Sequence, residues 1–170
     1  MYGEKINICT VVGFPLGYSV TEAKAAETKK ALEDGASEID MVINISDVKN
    51  GNYDAVQEEI AALKKITGDK ILKVIIETCY LTEEEKIAMC KAVTAAGADY
   101  IKTSTGFGTA GATLEDIRLF KENIGPDVKM KAAGGVKTVA DMEAFLETGC
   151  DRIGTSSAIK LIQGEHTSGY

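Results

Sequence analysis

The sequence predicts an α/β chain built on a parallel sheet, and three observations carry that expectation. Short runs rich in Val and Ile alternate with longer stretches of helical periodicity along the whole chain. The runs are nearly unbroken in hydrophobicity, as strands are when helices cover both faces of a sheet. Their ends fall near residues 12, 43, 76, 103, 132 and 154, at intervals of about 22 to 33 residues, the length of a strand–helix unit. Six such units imply right-handed crossovers. Two architectures satisfy the pattern, an open doubly wound sheet or part of a closed eight-unit barrel.

The elements follow in order. Strands are expected over residues 6–12, 39–45, 71–76, 100–103 and 128–132, and over Arg152–Gly154. Helix starts are marked by Ser19, Thr82, Thr113 and Thr138, each with Glu or Asp three residues on, the spacing of a capping box. Helix ends are marked by Gly35, Gly68, Gly97, Gly125 and Gly149, where a left-handed cap is wanted. Ser156 and Ser157 open a last short helix at Ala158–Ile162.

A chain of 170 residues with 45% hydrophobic content can bury a sizeable core, and nothing in its composition marks a linker, so residues 1–170 are expected to form a single domain. The net charge of -7 and the sequence pI of about 4.8 argue against a nucleic-acid binder, which would show a basic stripe. No apolar run approaches 18 residues and the start lacks an apolar core, so neither a membrane span nor a signal peptide is expected. Cys9, Cys79, Cys90 and Cys150 form no CxxC pair and are expected to be reduced thiols in the cytoplasm. The single histidine, His166, cannot complete a metal cluster or a catalytic triad, and neither metal nor cofactor is expected.

Charges stand where strands should be apolar. Asp40, Lys102 and Lys131 each lie late in a strand, at the end that feeds the following loop, where α/β folds bind ligands. A buried unpaired charge is expensive, so each needs a partner or a task. Lysine is a nucleophile only when neutral, and bringing its ordinary pKa of ~10.4 near 7 takes on the order of 4 kcal/mol. Desolvation and a second ammonium both push that way. Two lysines on neighbouring strands with one carboxylate therefore suit a Schiff-base site; a structural pair of Asp40 with one lysine is the alternative. Lys73 and Lys129 fall near strand starts and are expected to be solvated at the far end of the sheet.

Glycine-rich turns follow the last two strands, at residues 133–138 and 154–158, and suit a phosphate. Residues 106–111 match GxGxxG, the dinucleotide fingerprint, but the next strand ends in Lys131 and Ala132 where an acid is required, so a dinucleotide site is not expected.

The runs Cys9-Thr10-Val11-Val12-Gly13-Phe14-Pro15, Glu38-Ile39-Asp40-Met41-Val42, Lys73-Val74-Ile75-Ile76-Glu77-Thr78, Lys102-Thr103-Ser104-Thr105-Gly106-Phe107, Lys131-Ala132-Ala133-Gly134-Gly135 and Gly154-Thr155-Ser156-Ser157 resemble the deoxyribose-phosphate aldolases over essentially the whole chain. The resemblance implies a TIM (β/α)8-barrel family fold with six of the eight βα units present, and a cofactor-independent reaction. That reaction is reversible cleavage of 2-deoxy-D-ribose 5-phosphate to acetaldehyde and D-glyceraldehyde 3-phosphate. By the same resemblance Lys102 is the Schiff-base lysine, Lys131 the neighbour that depresses its pKa, and Asp40 the acid that relays protons through water. The iminium is an electron sink while a sugar carbon–carbon bond breaks, taken as C3–C4. Gly134, Gly135, Gly154, Ser156 and Ser157 are implied at the phosphate, and Thr105 and Tyr170 elsewhere around the substrate.

The family carries about two further units before the first strand found here. Six units leave two unpaired edges, so a homo-oligomer, or completion by another chain, is expected. The alternative function is an inactive fragment that serves only as an oligomerising or phosphate-binding module. Sugar phosphate and aldehyde substrates are the expected small-molecule partners, with no nucleic acid and no membrane.

Overall fold

The computed structural model describes residues 6–156 and 158–163. Ser157 and Tyr170 lie outside the described residues. The elements are β1 (Cys9–Val12), α1 (Thr21–Glu33), β2 (Glu38–Val42), α2 (Ile45–Lys49), α3 (Tyr53–Thr67), β3 (Ile71–Ile75), α4 (Glu83–Ala95), β4 (Tyr100–Lys102), α5 (Leu114–Asn123), β5 (Lys129–Ala133), α6 (Val139–Thr148), β6 (Arg152–Gly154) and α7 (Ala158–Ile162). The six strands lie in sequence order and every neighbouring pair is parallel.

Strand order without a switch point rules out the doubly wound sheet and leaves the barrel. Side-chain bonds show how far the sheet curls. Strands sit ~4.8 Å apart, so β2 and β6 in a flat sheet would be separated by about 19 Å. Instead Arg152 of β6 reaches Glu38 of β2 at 2.6 Å, and Lys131 of β5 reaches Asp40 of β2 at 2.9 Å. The described chain is a curled six-strand part of a barrel, with β1 and β6 as its edges.

Alternation along the strands divides the interior in two. Val12, Ile39, Met41, Leu72, Val74, Ile101, Met130 and Ala132 belong to one apolar core with the helices, joined by Ile60, Leu63, Met89, Ile117 and Phe120. The intervening residues, among them Glu38, Asp40, Lys73, Lys102, Lys131 and Arg152, point to the concave face. The strands look apolar because one face is so, apart from Thr10, while the other carries the charge.

Thr82, Thr113 and Thr138 cap their helices as expected, with full capping boxes at Thr82 and Thr138. Ser19 does not: α1 is entered from Val20, whose side chain cannot cap. Gly149 is a left-handed cap, whereas Gly125 has no positive φ and instead donates its N–H to Thr94 Oγ1 at 2.9 Å. The expected strand at 39–45 stops at Val42, because Asn44 accepts from Ser46 N and Asp47 N and opens α2.

A buried ion pair locks the outer layer. Lys24 of α1 donates to Glu59 of α3 and to the Val42 carbonyl of β2, both at 2.8 Å, with side chains 0% and 6% exposed. Burial lowers the Lys24 ammonium and raises the Glu59 carboxyl. A Cβ on Gly13 would lie 2.8 Å from Lys24 Cε, so glycine makes room for the stem. Lys24→Met strands a buried carboxylate and is expected to lower unfolding free energy by roughly 3–5 kcal/mol. Urea denaturation checks this, and Lys24→Met/Glu59→Leu should recover most of the loss.

Candidate active site

Three consecutive strands deliver one lysine each to a single carboxylate. β2 carries Asp40, whose registered partner on β3 is Lys73, and Lys102 of β4 is registered with Lys131 of β5. Parallel neighbours in register point the same way, so all four side chains enter the concave space. Asp40 Oδ2 accepts from Lys102 Nζ at 2.8 Å and from Lys131 Nζ at 2.9 Å. Its Oδ1 accepts from Lys73 Nζ at 2.8 Å and from the Cys9 thiol at 3.2 Å. The two lysines singled out in the sequence thus share one oxygen atom.

Lys73 departs from expectation. It is 0% exposed rather than solvated, and it also contacts Glu38 Oε2 at 2.5 Å. β3 ends at Ile75, so Lys73 is its middle residue and lies beside Asp40 in the middle of β2. Lys129 is exposed as expected. A second layer lies below Asp40, where Glu38 accepts from Arg152 at 2.6 Å and from Asn7 at 2.7 Å, and the Arg152 guanidinium stands 4.9 Å from the Tyr100 ring centre.

The electrostatics follow from these contacts. Burial alone would raise the Asp40 carboxyl, but the charges of Lys102 and Lys131 and the bonds from Lys102 and Lys73 outweigh it and hold it well below the usual carboxylate range. Burial lowers the Lys102 ammonium; Asp40 opposes that shift and Lys131 reinforces it, and the net direction is down. Lys73 goes the other way: burial would lower it, but two carboxylates more than compensate and raise it.

Above this layer, Gly134 and Gly135 adopt φ of 76° and 75° in the turn after β5. A Cβ on Gly154 would lie 3.3 Å from Lys131 Cε, and Thr155 Oγ1 donates to the Val136 carbonyl at 3.1 Å, so the two glycine-rich turns meet beside Lys131. Ser156 is exposed in the turn before α7. Thr105 has its hydroxyl engaged by Glu77, and it accepts from Phe107 N at 3.0 Å.

The GxGxxG run has a different structural setting from a dinucleotide loop. It lies wholly in the β4–α5 connection and ends before α5 begins at Leu114. A Cβ on Gly111 would fall 2.3 Å from the Gly134 carbonyl carbon, so that glycine permits two loops to touch backbone to backbone.

A family model described as DeoC/LacD family aldolase matches residues 2–159. The chain belongs to this family. It is 77% identical over 169 residues to a deoxyribose-phosphate aldolase of Clostridium botulinum, a match covering 99% of this chain and 76% of that one. Among solved structures, one described as QR15, an aldolase, superposes with a TM-score of 0.90 at 44% identity, over 94% of this chain and 72% of that one. A tetrameric deoxyribose phosphate aldolase from Aeropyrum pernix superposes at 0.86 with 32% identity, over 95% and 70%. These alignments support the barrel reading reached from strand order.

The lower layer gives a pH test. Burial opposes the charged form of Glu38, but Arg152, Lys73 and Asn7 outweigh it and set its carboxyl at about 2, against an ordinary 4.5. A depressed folded-state pKa adds stability above the unfolded value, and that stability is lost as protons are forced on. We expect the urea midpoint to fall as pH drops from about 5 to about 2. In Glu38→Gln the midpoint should be lower at pH 7 and the acid limb flatter.

Proposed function

We propose that this chain is a deoxyribose-phosphate aldolase, a class I carbon–carbon lyase that works through a Schiff base on Lys102. The observation that carries this reading is the oxygen shared by Lys102 and Lys131. Two ammonium groups on one carboxylate oxygen inside a curled sheet leave one positive charge in excess, and the more deeply buried amine, Lys102, is the one shifted down. Family membership and the named relatives support the same chemistry.

Neutral Lys102 adds to the aldehyde carbon, and loss of water gives the iminium. Counting carbons corrects the bond that breaks. Acetaldehyde takes C1 and C2, so cleavage falls between C2 and C3, not C3 and C4. The C3 hydroxyl gives up its proton, C3 becomes the carbonyl of glyceraldehyde 3-phosphate, and the C2–C3 electron pair flows into the iminium to give an enamine. Protonation of C2 and hydrolysis release acetaldehyde and restore Lys102. Asp40 is too weak a base to keep a proton, so its role is to pass protons between substrate and Lys131, through water. The phosphate is assigned to Gly134, Gly135, Gly154, Ser156 and Ser157, and Thr105 and Tyr170 to the remainder of the substrate.

The open edges β1 and β6 support a homo-oligomer or completion by another chain. The four cysteines are free, which suits the reducing cytoplasm, and no helix among the described residues is long and apolar enough to cross a membrane.

Borohydride reduction in the presence of acetaldehyde, followed by peptide mass mapping, is expected to place the adduct on Lys102, and Lys102→Ala should abolish it. A folded protein with no adduct would favour the inert module. Lys131→Met removes the like charge, so the Lys102 pKa rises and less of the amine is neutral at pH 7. The trapping rate should therefore fall at pH 7 and its rise move to higher pH by about one unit or more.

A further inference from the structure

Glu77, two residues beyond the end of β3, is the single non-glycine with positive φ among the described residues, at 52°. Its side chain is buried, 2% exposed, and no described lysine or arginine pairs with it. Both carboxylate oxygens accept from Thr105 N at 3.2 Å, and Oε2 also accepts from the Thr105 hydroxyl. The Cys79 thiol also donates to Oε1, at 4.0 Å. A buried carboxylate in a disfavoured backbone conformation, satisfied by one thiol and one loop, is an expensive way to hold a turn. What it holds is the segment between Lys102 and the phosphate turn. A Cβ on Gly108 would lie 2.7 Å from Cys79 Sγ and 3.1 Å from the Glu77 carboxylate, and one on Gly111 would collide with the backbone of Gly134 and Gly135. Ala112 N donates to the Ala133 and Gly134 carbonyls at 3.2 and 3.1 Å. Ser104 Oγ, buried with no partner among the described residues, lies in the same seam, its Cβ 3.7 Å from where a Gly134 Cβ would be.

We infer that Glu77 is a positioning residue for the phosphorylated end of the substrate: it pins the loop at residues 105–111, which in turn sets the Gly134–Gly135 turn relative to Lys102. The inference rests on the aldolase reading and adds a specificity role to it. The loop is tied to Glu77 at one end and bears on the phosphate turn at the other. Releasing the first contact lets the turn shift while the ion cluster, held by separate bonds to Asp40, stays in place.

The test compares 2-deoxyribose 5-phosphate with unphosphorylated 2-deoxyribose in wild type, Glu77→Gln and Gly108→Ala, together with acetaldehyde trapping at Lys102. Gly108→Ala crowds Cys79 and Glu77 and so displaces the loop from an intact Glu77, which keeps the inference testable if Glu77→Gln fails to fold. For each variant, KM for the phosphate ester should rise about tenfold with a smaller change in kcat, while kcat/KM for the free sugar, which has only the Thr105 contact to lose, falls by much less and the trapping rate holds steady. Equal losses on both sugars, or no loss on either, would overturn it. Wild type that neither traps at Lys102 nor prefers the phosphate ester would overturn the aldolase reading, and this inference with it.

Discussion

Asp40 is the point on which the concave face is organised. Lysines from β3, β4 and β5 converge on its carboxylate, and the curl of the sheet is what brings β5 within reach of β2. Counting the layer beneath, Lys73, Lys102, Lys131 and Arg152 surround Asp40 and Glu38, so with all three lysines protonated and both carboxylates ionised the cluster carries two positive charges in excess. A buried imbalance of that kind is relieved by releasing a proton. Arg152 cannot release one. Lys73 is held charged by two carboxylates, and Lys131 is the more exposed of the other two, at 15% against 9% for Lys102. The remaining candidate is Lys102. Its downward shift is a property of the whole cluster, in which Lys73 matters by occupying Asp40 Oδ1 and leaving a single oxygen for two amines.

The same sheet can afford this because its two faces are independent. Outward residues such as Ile39, Val74 and Ile101 pack into a continuous apolar core with the helices, and each strand's period of two keeps them out of the charged layer. The outer layer contains its own buried pair, Lys24 with Glu59, which touches β2 at the Val42 carbonyl and shares no side chain with the cluster. Substitutions there should therefore affect folding far more than chemistry.

Much of this was legible in the sequence, and the failures share a cause. Asp40, Lys102 and Lys131 stood out because a charge in an apolar strand is rare whichever way the strand faces. Lys73 had the same signature but was assigned by its position along its own strand, and burial depends on register between strands, which one sequence does not state. Glu77 was invisible for a similar reason: its φ and its bond to Thr105 arise only once β3 and β4 lie side by side. Thr82 and Thr138 were readable as caps because their geometry is local, whereas Gly125 looked like a helix end and is instead a close contact with Thr94. The end of β2 was missed because the apolar alternation runs through Ile45, and the Asn44 cap overrides it.

The glycine run at 106–111 shows why spacing alone does not assign chemistry. In a dinucleotide fold such glycines face a pyrophosphate at a helix N-terminus. Here Gly108 faces Glu77 and Cys79, and Gly111 faces Gly134 and Gly135, so the missing side chains make room for protein. The physical requirement, backbone approached too closely for a Cβ, is the same in both cases. What differs is the partner, and it is fixed by strand order: β4 and β5 are neighbours, so the loop leaving one must pass over the turn leaving the other. The motif is thus a consequence of the parallel barrel, in which successive loops crowd at one end of the sheet, and its glycines belong to the packing that holds the Gly134–Gly135 turn above the lysines.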